Sequence, residues 1–286
     1  MKFNDYLTIA GCVIFFTGFL ILIYGIDTGY IVNFQSMLLE TMVQKTANTG
    51  TLGSIGILLG TFARIITGLV FLTVSLVFLI VHGALKGDKK TSIIAGLICG
   101  TLALFLFRFS PVSLCIFAGI ILISLYINPL SNTYFQELRK WKYFRTGSHA
   151  VSRALMIFSL FLALGIFISV YTGNYGEIYI NTLSETIANS AIDYKTLEKT
   201  IDEQYPGIPA EQKQAVINDF AVKTKAMAIE NMKNSPIFNA YIRWLPVLSA
   251  VTVWFILELI KSLVLVNIGG AVSSVLTRVY IRILQK

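Results

Sequence analysis

The sequence predicts an all-α fold: a polytopic membrane helical bundle of about six spans with a small extracytoplasmic helical domain. Composition, the spacing of apolar runs and the distribution of charge lead to this prediction. Apolar residues fill 55% of 286 positions, charged residues only 13%, and the mean hydropathy is +0.72. Soluble domains carry about 25% charged residues. This chain could not cover its surface with polar groups in water, and a bilayer removes that requirement.

Six apolar runs approach the roughly 20 helical residues needed to cross about 30 Å of hydrocarbon. They are Tyr6–Ile26, Ile65–Leu85, Ser92–Phe107, Pro111–Ile127, Ala154–Tyr171 and Leu245–Val266. The first lacks a signal-peptide cleavage site, so we expect an uncleaved span. Between the short third and fourth runs, Ser110 is a suitable N-cap and Pro111 suits a first helical turn, which predicts a tight helical hairpin.

The charge distribution predicts the orientation of the spans. With both termini in the cytoplasm, 13 basic and three acidic residues face inward, whereas nine basic and 11 acidic residues face outward. Cytoplasmic loops of membrane proteins carry an excess of Lys and Arg. Arg64 and Glu258 are left unassigned. We therefore expect a multi-pass protein of the plasma or inner membrane, and the net charge of +8 requires no nucleic acid partner.

The region after the first span contains two features outside the regular spans. Asp27–Leu52 has apolar residues at helical spacing, which predicts a short amphipathic helix. The glycine-rich Leu52–Ala63 follows, and adding it to the second span gives a helix of about 34 residues and about 50 Å. That length exceeds the thickness of the hydrocarbon layer. The helix therefore projects outward, or 52–63 is a separate interfacial or re-entrant segment whose glycines permit close packing.

The largest polar region is residues 173–243, for which we predict three helices. The first contains Ile178, Leu183 and Ile187. Asp193–Tyr205 follows, and the breaker Pro206-Gly207-Ile208-Pro209 separates it from a third helix ending near Asn234. This region is the predicted extracytoplasmic domain, and residues 244–266 form the sixth span.

Two cytoplasmic segments combine basic and apolar residues. Tyr134–Arg145 mixes aromatic and basic side chains in a pattern that suits a helix in the headgroup region, attracted by anionic lipid, or an ordinary basic loop. Residues 267–286 are predicted to form an amphipathic tail on the inner surface. The lipid-facing basic cluster of the first segment is Arg139, Lys140, Lys142 and Arg145.

Candidate catalytic chemistry is sparse. No phosphate-binding loop or dinucleotide motif occurs, and the two histidines, His82 and His149, lack the neighbours of a metal site, so we expect them in solvated or interfacial positions. The cysteines lie in apolar runs without zinc-ligand spacing, so they are read as small apolar residues with no disulfide framework. We expect no catalytic residue, metal or cofactor. The three cysteines are Cys12, Cys99 and Cys115.

Ionisable residues within spans are the remaining candidates for a site. Glu258 lies about 20 Å along its helix from the outer end. Lys261, three residues later, shares its face, which predicts a buried ion pair. Either Lys261 simply neutralises Glu258, or Glu258 belongs to a proton or ion relay.

Three functions are compatible with these features. The favoured one is a non-enzymatic scaffold, assembly factor or subunit of a membrane complex, which meets an envelope protein or a second copy through the outer helical domain. The alternative is a transporter or channel component that uses the Gly-rich 52–63 segment and Glu258. A lipid-modifying enzyme rests only on the basic aromatic loop.

Overall fold

The computed structural model describes residues 3–26, 28–30, 51–173, 175–191, 201, 203 and 209–284. Within these residues the regular structure is helical and contains no strand, so the all-α prediction is confirmed. The predicted amphipathic helix in Asp27–Leu52 and most of the predicted helix Asp193–Tyr205 lie outside the described residues. The helices are α1 (Phe3–Ile23), α2 (Thr51–Ala84), α3 (Lys89–Leu106), α4 (Pro111–Glu137), α5 (Lys142–Thr172), α6 (Tyr175–Ala191), α7 (Ala210–Asn234), α8 (Pro236–Ile260), a π-helical turn (Lys261–Leu265) and α9 (Val266–Leu284).

Six helical stretches among the described residues are long and apolar enough to cross a membrane. This pattern is that of a multi-pass membrane protein, and its number matches the prediction. The stretches are Asn4–Ile23, Phe62–Ala84, Lys89–Leu106, Pro111–Glu137, Lys142–Thr172 and Pro236–Ile283.

The ends of the helices differ from the sequence prediction more than their number does. α4 continues ten residues beyond Ile127, past the internal Pro129, and α5 begins at Lys142 rather than at Ala154. Hydropathy marks the apolar part of a helix, whereas the backbone stays helical until a cap or a turn interrupts it. The glycine-rich 52–63 segment forms one continuous helix with the second span, so it is not a re-entrant segment.

The hairpin between α3 and α4 follows the prediction from its residues. Ser110 caps α4, since its side chain accepts a hydrogen bond from the Ser113 amide at 3.2 Å, and Pro111 occupies the first helical turn. Arg108 and Phe109 adopt φ angles of 51° and 52°, which reverse the chain within a few residues. Asp88 caps α3 in the same way, by accepting from the Lys90 amide at 3.0 Å.

The chain divides into two compact units. The first consists of the described residues of Met1–Ile26, Leu58–Ser169 and Val247–Lys286, and the second of those in Asp27–Ile57 and Val170–Pro246. The second unit contains most of the predicted 173–243 domain. The region predicted as a separate tail from residue 267 belongs to the first unit, because α9 continues without a break from the π-helical turn.

Apolar side chains from α1 to α5, α8 and α9 form the core of the first unit. Phe19 of α1 meets Phe158 of α5 edge to face, with ring centroids 5.8 Å apart. Other large apolar side chains of this unit point outward. Such an exposed apolar surface is solvated by lipid tails, so contacts between helices depend on close packing and not on removal from water. The most exposed include Ile14, Phe105, Phe255 and Leu263.

Glycines provide several of these close contacts. A Cβ atom added at Gly83 of α2 would lie 2.8 Å from the Asn128 Cα of α4, and one added at Gly165 of α5 would lie 2.9 Å from the Val112 Cα. In both cases the neighbouring atom is backbone, which cannot move aside independently. These pairs of helices therefore approach closely only because a side chain is missing.

The second unit is built on α6 and α7. Tyr179 and Leu183 of α6 are buried, as is Ile217 of α7. The ring of Tyr179 stacks on that of Tyr241, with centroids 5.4 Å apart, and its hydroxyl donates to the Tyr241 hydroxyl at 3.4 Å. Burial, together with this hydrogen bond, raises the pKa of Tyr179 well above its usual range. The predicted third helix of this region is confirmed, since α7 ends at Asn234.

We expect Gly83→Ala to lower the free energy of unfolding by about 1–3 kcal/mol, because the new methyl group overpacks the contact with α4. Gly60→Ala is the matched control, since nothing lies within 4 Å of a Cβ at that position. Replacing glycine within an exposed stretch of helix stabilises it by up to about 1 kcal/mol. Thermal unfolding in lipid nanodiscs measures both variants, and equal midpoints would contradict the close approach of α2 to α4.

Candidate functional site

A π-helical turn interrupts the last long helix at Lys261, one of the two residues that the sequence singled out. The turn covers Lys261–Leu265, and the amide of Val266 donates to the carbonyl of Lys261, five residues earlier. One such turn accommodates an extra residue in a helix, and π-helical turns occur frequently at functional sites. Glu258 lies three residues before the start of the turn.

Glu258, Lys261 and Ser159 form a polar group that we call the Glu258 cluster. Lys261 Nζ makes an ion pair with Glu258 Oε2, so the structure brings the two predicted residues together. Ser159 Oγ of α5 donates to Glu258 Oε1 at 3.0 Å. The side chains of Lys261 and Glu258 are 11% and 25% exposed, and each charge therefore depends on its partner for compensation. The sequence did not indicate Ser159.

The predicted basic cluster lies where α4 and α5 join. Arg139, Lys140 and Arg145 are exposed, whereas Lys142 is half-buried, with its Nζ 3.8 Å from the centroid of the Phe135 ring. Trp141 is exposed beside them and adopts a φ of 54°. The segment is the end of one helix and the start of the next, so it is not the separate headgroup-region helix that was one of the two interpretations.

His82 is buried, with 4% of its surface exposed, so the prediction of a solvated position is wrong for this residue. Its Nδ1 lies 3.3 Å from the Thr8 hydroxyl of α1. Its Nε2 lies 3.2 Å from the Asp88 carbonyl and 3.8 Å from the Asp5 carboxylate. His149 is exposed, as predicted, and its ring stands 5.6 Å from that of Tyr134.

The polar contacts of His82 continue into α9. The Thr8 hydroxyl lies 3.0 Å from the hydroxyl of Tyr280, which is also buried. Gly87 packs against the imidazole, since a Cβ there would lie 2.2 Å from His82 Nε2. We call Asp5, Thr8, His82 and Tyr280 the His82 cluster. The hydropathy of the sequence gives no indication of this cluster. It places Thr8 and His82 near span ends, which the predicted topology puts on the same side of the membrane.

Two of the three cysteines meet in the core of the first unit. The sulfur atoms of Cys12 and Cys99 are 3.9 Å apart, and the Ser75 hydroxyl lies 3.3 Å from the Cys12 sulfur. They line a small, mostly apolar cavity. All three cysteines are free thiols, and both members of this pair are buried.

Arg64, which the sequence left unassigned, holds the end of α1. Its Nη2 donates to the Tyr24 carbonyl at 2.7 Å, and its Nε donates to the Leu22 carbonyl. The last carbonyls of a helix have no partner within the helix, and a cationic side chain is a favourable donor to them. Arg64 therefore caps the C-terminal end of α1.

Among the described residues, no group of three or more His, Cys, Asp or Glu side chains is placed to hold a metal ion. The chain matches no protein-family model, no curated protein and no solved structure. The function of these clusters must therefore be inferred from their residues and contacts.

We expect Glu258→Gln to lower the free energy of unfolding by about 2–4 kcal/mol, because the buried ammonium of Lys261 then lacks its carboxylate. The double variant Glu258→Gln with Lys261→Met removes both charges and should recover at least half of that loss. Denaturation of the reconstituted protein, followed by tryptophan fluorescence, measures both. A double variant no more stable than the single one would contradict the role of charge pairing.

Proposed function

We propose that the chain is a non-enzymatic membrane scaffold, assembly factor or complex subunit, and that α7 in its second unit binds a protein partner on the extracytoplasmic side. The observation that carries the proposal is the surface of α7. Among the residues of this helix whose burial is described, Ile217 alone is buried. A helix of 25 residues with so little buried surface gains little stability from packing within its own unit.

The exposed apolar residues of α7 form a stripe. Val216, Phe220 and Met227 lie within about 40° of one another around the helix axis, since 100° separates successive residues. They are 49%, 47% and 62% exposed. Several large apolar side chains exposed on one helix face, bordered by charged residues such as Asp219 and Lys223, are typical of a site that binds another protein. We call these three residues the α7 stripe.

The polar clusters of the first unit support a non-enzymatic function. Glu258 is compensated by Lys261 and hydrogen-bonded by Ser159, and His82 makes contacts with Thr8 and Asp88. In both arrangements the hydroxyl beside the base is buried, in Ser159 and in Thr8, whereas covalent catalysis requires a nucleophile that a substrate can reach.

The exposed basic residues of the first unit support a cytoplasmic location for one of its ends. Contacts of Thr8 with His82 and Tyr280 bring the start of α1, the end of α2 and the later part of α9 together, and Ser273 Oγ donates to the Tyr143 carbonyl at the start of α5. Excess Lys and Arg favours the cytoplasmic side and attracts anionic lipid. The exposed basic residues of this end, which we call the basic end, are Lys86, Lys89, Lys90, Arg139, Lys140, Arg145, Arg278 and Arg282.

A transporter or channel component is the second candidate. The π-helical turn beside Glu258 supports it, because a local irregularity and a buried charge occur together in many ion pathways. The continuous helix through residues 52–63 removes the re-entrant segment that this candidate used. It therefore ranks below the scaffold.

We expect the combined change Val216→Ser, Phe220→Ser and Met227→Ser to reduce recovery of the partner at least fivefold when the tagged protein is purified from native membranes in mild detergent. The reason is loss of the apolar contact surface. Val222→Ser is the matched control: this valine is 66% exposed on the same helix, about 140° from the middle of the stripe. Cross-linking and mass spectrometry identify the partner, and a self-cross-link would identify a second copy. A partner-free monomer that conducts ions in liposomes would reject the scaffold in favour of the second candidate.

The proposed orientation predicts the labelling of introduced cysteines. Asp219→Cys should react with a membrane-impermeant maleimide in intact cells, and Lys140→Cys should react only after lysis. Both positions are exposed, so accessibility within the protein does not distinguish them. Labelling of residue 140 from outside would reverse the proposed topology. The unaltered chain is the background control, because two of its native cysteines are buried.

A further inference from the structure

The hydrogen-bonding groups around His82 can accept a hydrogen from each ring nitrogen. Nε2 faces the Asp88 carbonyl at 3.2 Å and the Asp5 carboxylate at 3.8 Å. A carbonyl only accepts hydrogen bonds, and so does an ionised carboxylate. Nε2 is therefore placed to donate.

The other ring nitrogen faces a hydroxyl that is already engaged. Thr8 Oγ1 donates to the Asn4 carbonyl, four residues earlier, at 2.8 Å, which is shorter than its 3.3 Å separation from His82 Nδ1. A hydroxyl has one hydrogen to donate. When that hydrogen bonds Asn4, Thr8 presents only lone pairs to Nδ1 and to the Tyr280 hydroxyl, so Nδ1 can bond Thr8 only as a donor. A histidine that donates from both nitrogens is an imidazolium.

We propose that His82 is a reversible proton-binding site at the basic end of the first unit, linked through the Thr8 hydroxyl to Tyr280. In the neutral state Nε2–H donates to the Asp88 carbonyl and Thr8 donates to Nδ1. Uptake of one proton from water forms the N–H bond at Nδ1, and the Thr8 hydroxyl rotates towards the Asn4 carbonyl. One O–H bond of a hydronium ion breaks, this N–H bond forms, and a water molecule is released.

The titratable and polar groups around the imidazole come from α1, α4, α9 and the segment between α2 and α3. Asp5 of α1 supplies a carboxylate whose side chain is 13% exposed, which gives the cluster a connection to the surface. Tyr280 comes from α9. In the segment between α2 and α3, the backbone carbonyl of Asp88 faces His82, and the Asp88 carboxylate accepts from the Lys90 amide. Lys86, in the same segment, is exposed. Asn128 of α4 is neutral and donates to the Gly87 carbonyl at 3.1 Å.

This proposal is independent of the partner-binding function, and it couples three helices to the proton concentration at one surface. Proton binding changes which atom accepts the Thr8 hydrogen, and Thr8 connects α1 with both α2 and α9. The contact between α9 and the rest of the unit therefore responds to pH through one hydroxyl.

The chain has only two histidines, so His149→Gln leaves His82 as the single imidazole. Nitrogen NMR of this full-length variant, in phosphatidylcholine nanodiscs between about pH 5 and 8, reports the protonation of each ring nitrogen directly. We expect both nitrogens to carry hydrogen at the acidic end of the range, and the Tyr280 Cζ signal to change with the same midpoint. A ring that keeps one neutral form throughout the range would overturn the proposal.

Two matched pairs of variants test the link. Thr8→Val should remove the pH response of Tyr280, whereas Thr17→Val should not, although Thr17 makes the same type of hydrogen bond, to the Val13 carbonyl, in the same helix. Asp5→Asn should weaken proton binding to His82 about tenfold, and Asp219→Asn, an exposed acid of the other unit, less than twofold. A response of Tyr280 that persists in Thr8→Val would overturn the relay.

Discussion

Peptide groups in a hydrocarbon layer have no water to bind, and this constraint governs the structure of the protein. Each N–H and C=O must find a partner within the chain, which favours long unbroken helices. Hydroxyl side chains are satisfied in the same way: Thr17, Thr73 and Ser131 each donate to the carbonyl four residues earlier. Arg64 donates to carbonyls at the end of α1, where no further helical N–H groups follow to bond them.

The same constraint explains where the helices make specific contacts. Lipid tails solvate the apolar side chains of an isolated helix as well as a neighbouring helix does, so association depends on close packing and polar bonds. Glycines such as Gly83 and Gly165 permit backbone contact. Polar side chains also meet across helices, as Ser159 does with Glu258 and His82 does with Thr8. The Glu258 cluster and the His82 cluster therefore hold helices of the bundle together, and they are also candidate functional sites.

The sequence predicts the features that depend on local composition. Six apolar stretches, the Ser110 cap and the end of α7 at Asn234 each follow from a short run of residues. The pairing of Glu258 with Lys261 could also be anticipated, because three residues separate them on one helix. Helix ends such as Lys142 were missed, because polar residues continue a helix beyond its apolar part.

Features that depend on packing between distant segments could not be predicted. Hydropathy treats His82 as a polar residue, and its burial is acceptable because Thr8 of another helix and the Asp88 carbonyl contact its ring nitrogens. The sequence alone does not distinguish Ser159 from the other serines, because only the folded chain places the Glu258 carboxylate of α8 beside it. The π-helical turn leaves no mark in composition, because it depends on one extra residue and not on residue type.

That turn fixes which side of α9 faces its neighbours. One residue more or fewer in a helix rotates everything after it by about 100°. Ser273 and Thr277 of α9 are buried together with Tyr280, and all three keep their positions only while the turn retains its present length. Relatives of this chain should therefore be aligned on either side of residues 261–265 separately, since a single gap placed elsewhere would pair buried positions of one protein with lipid-exposed positions of the other.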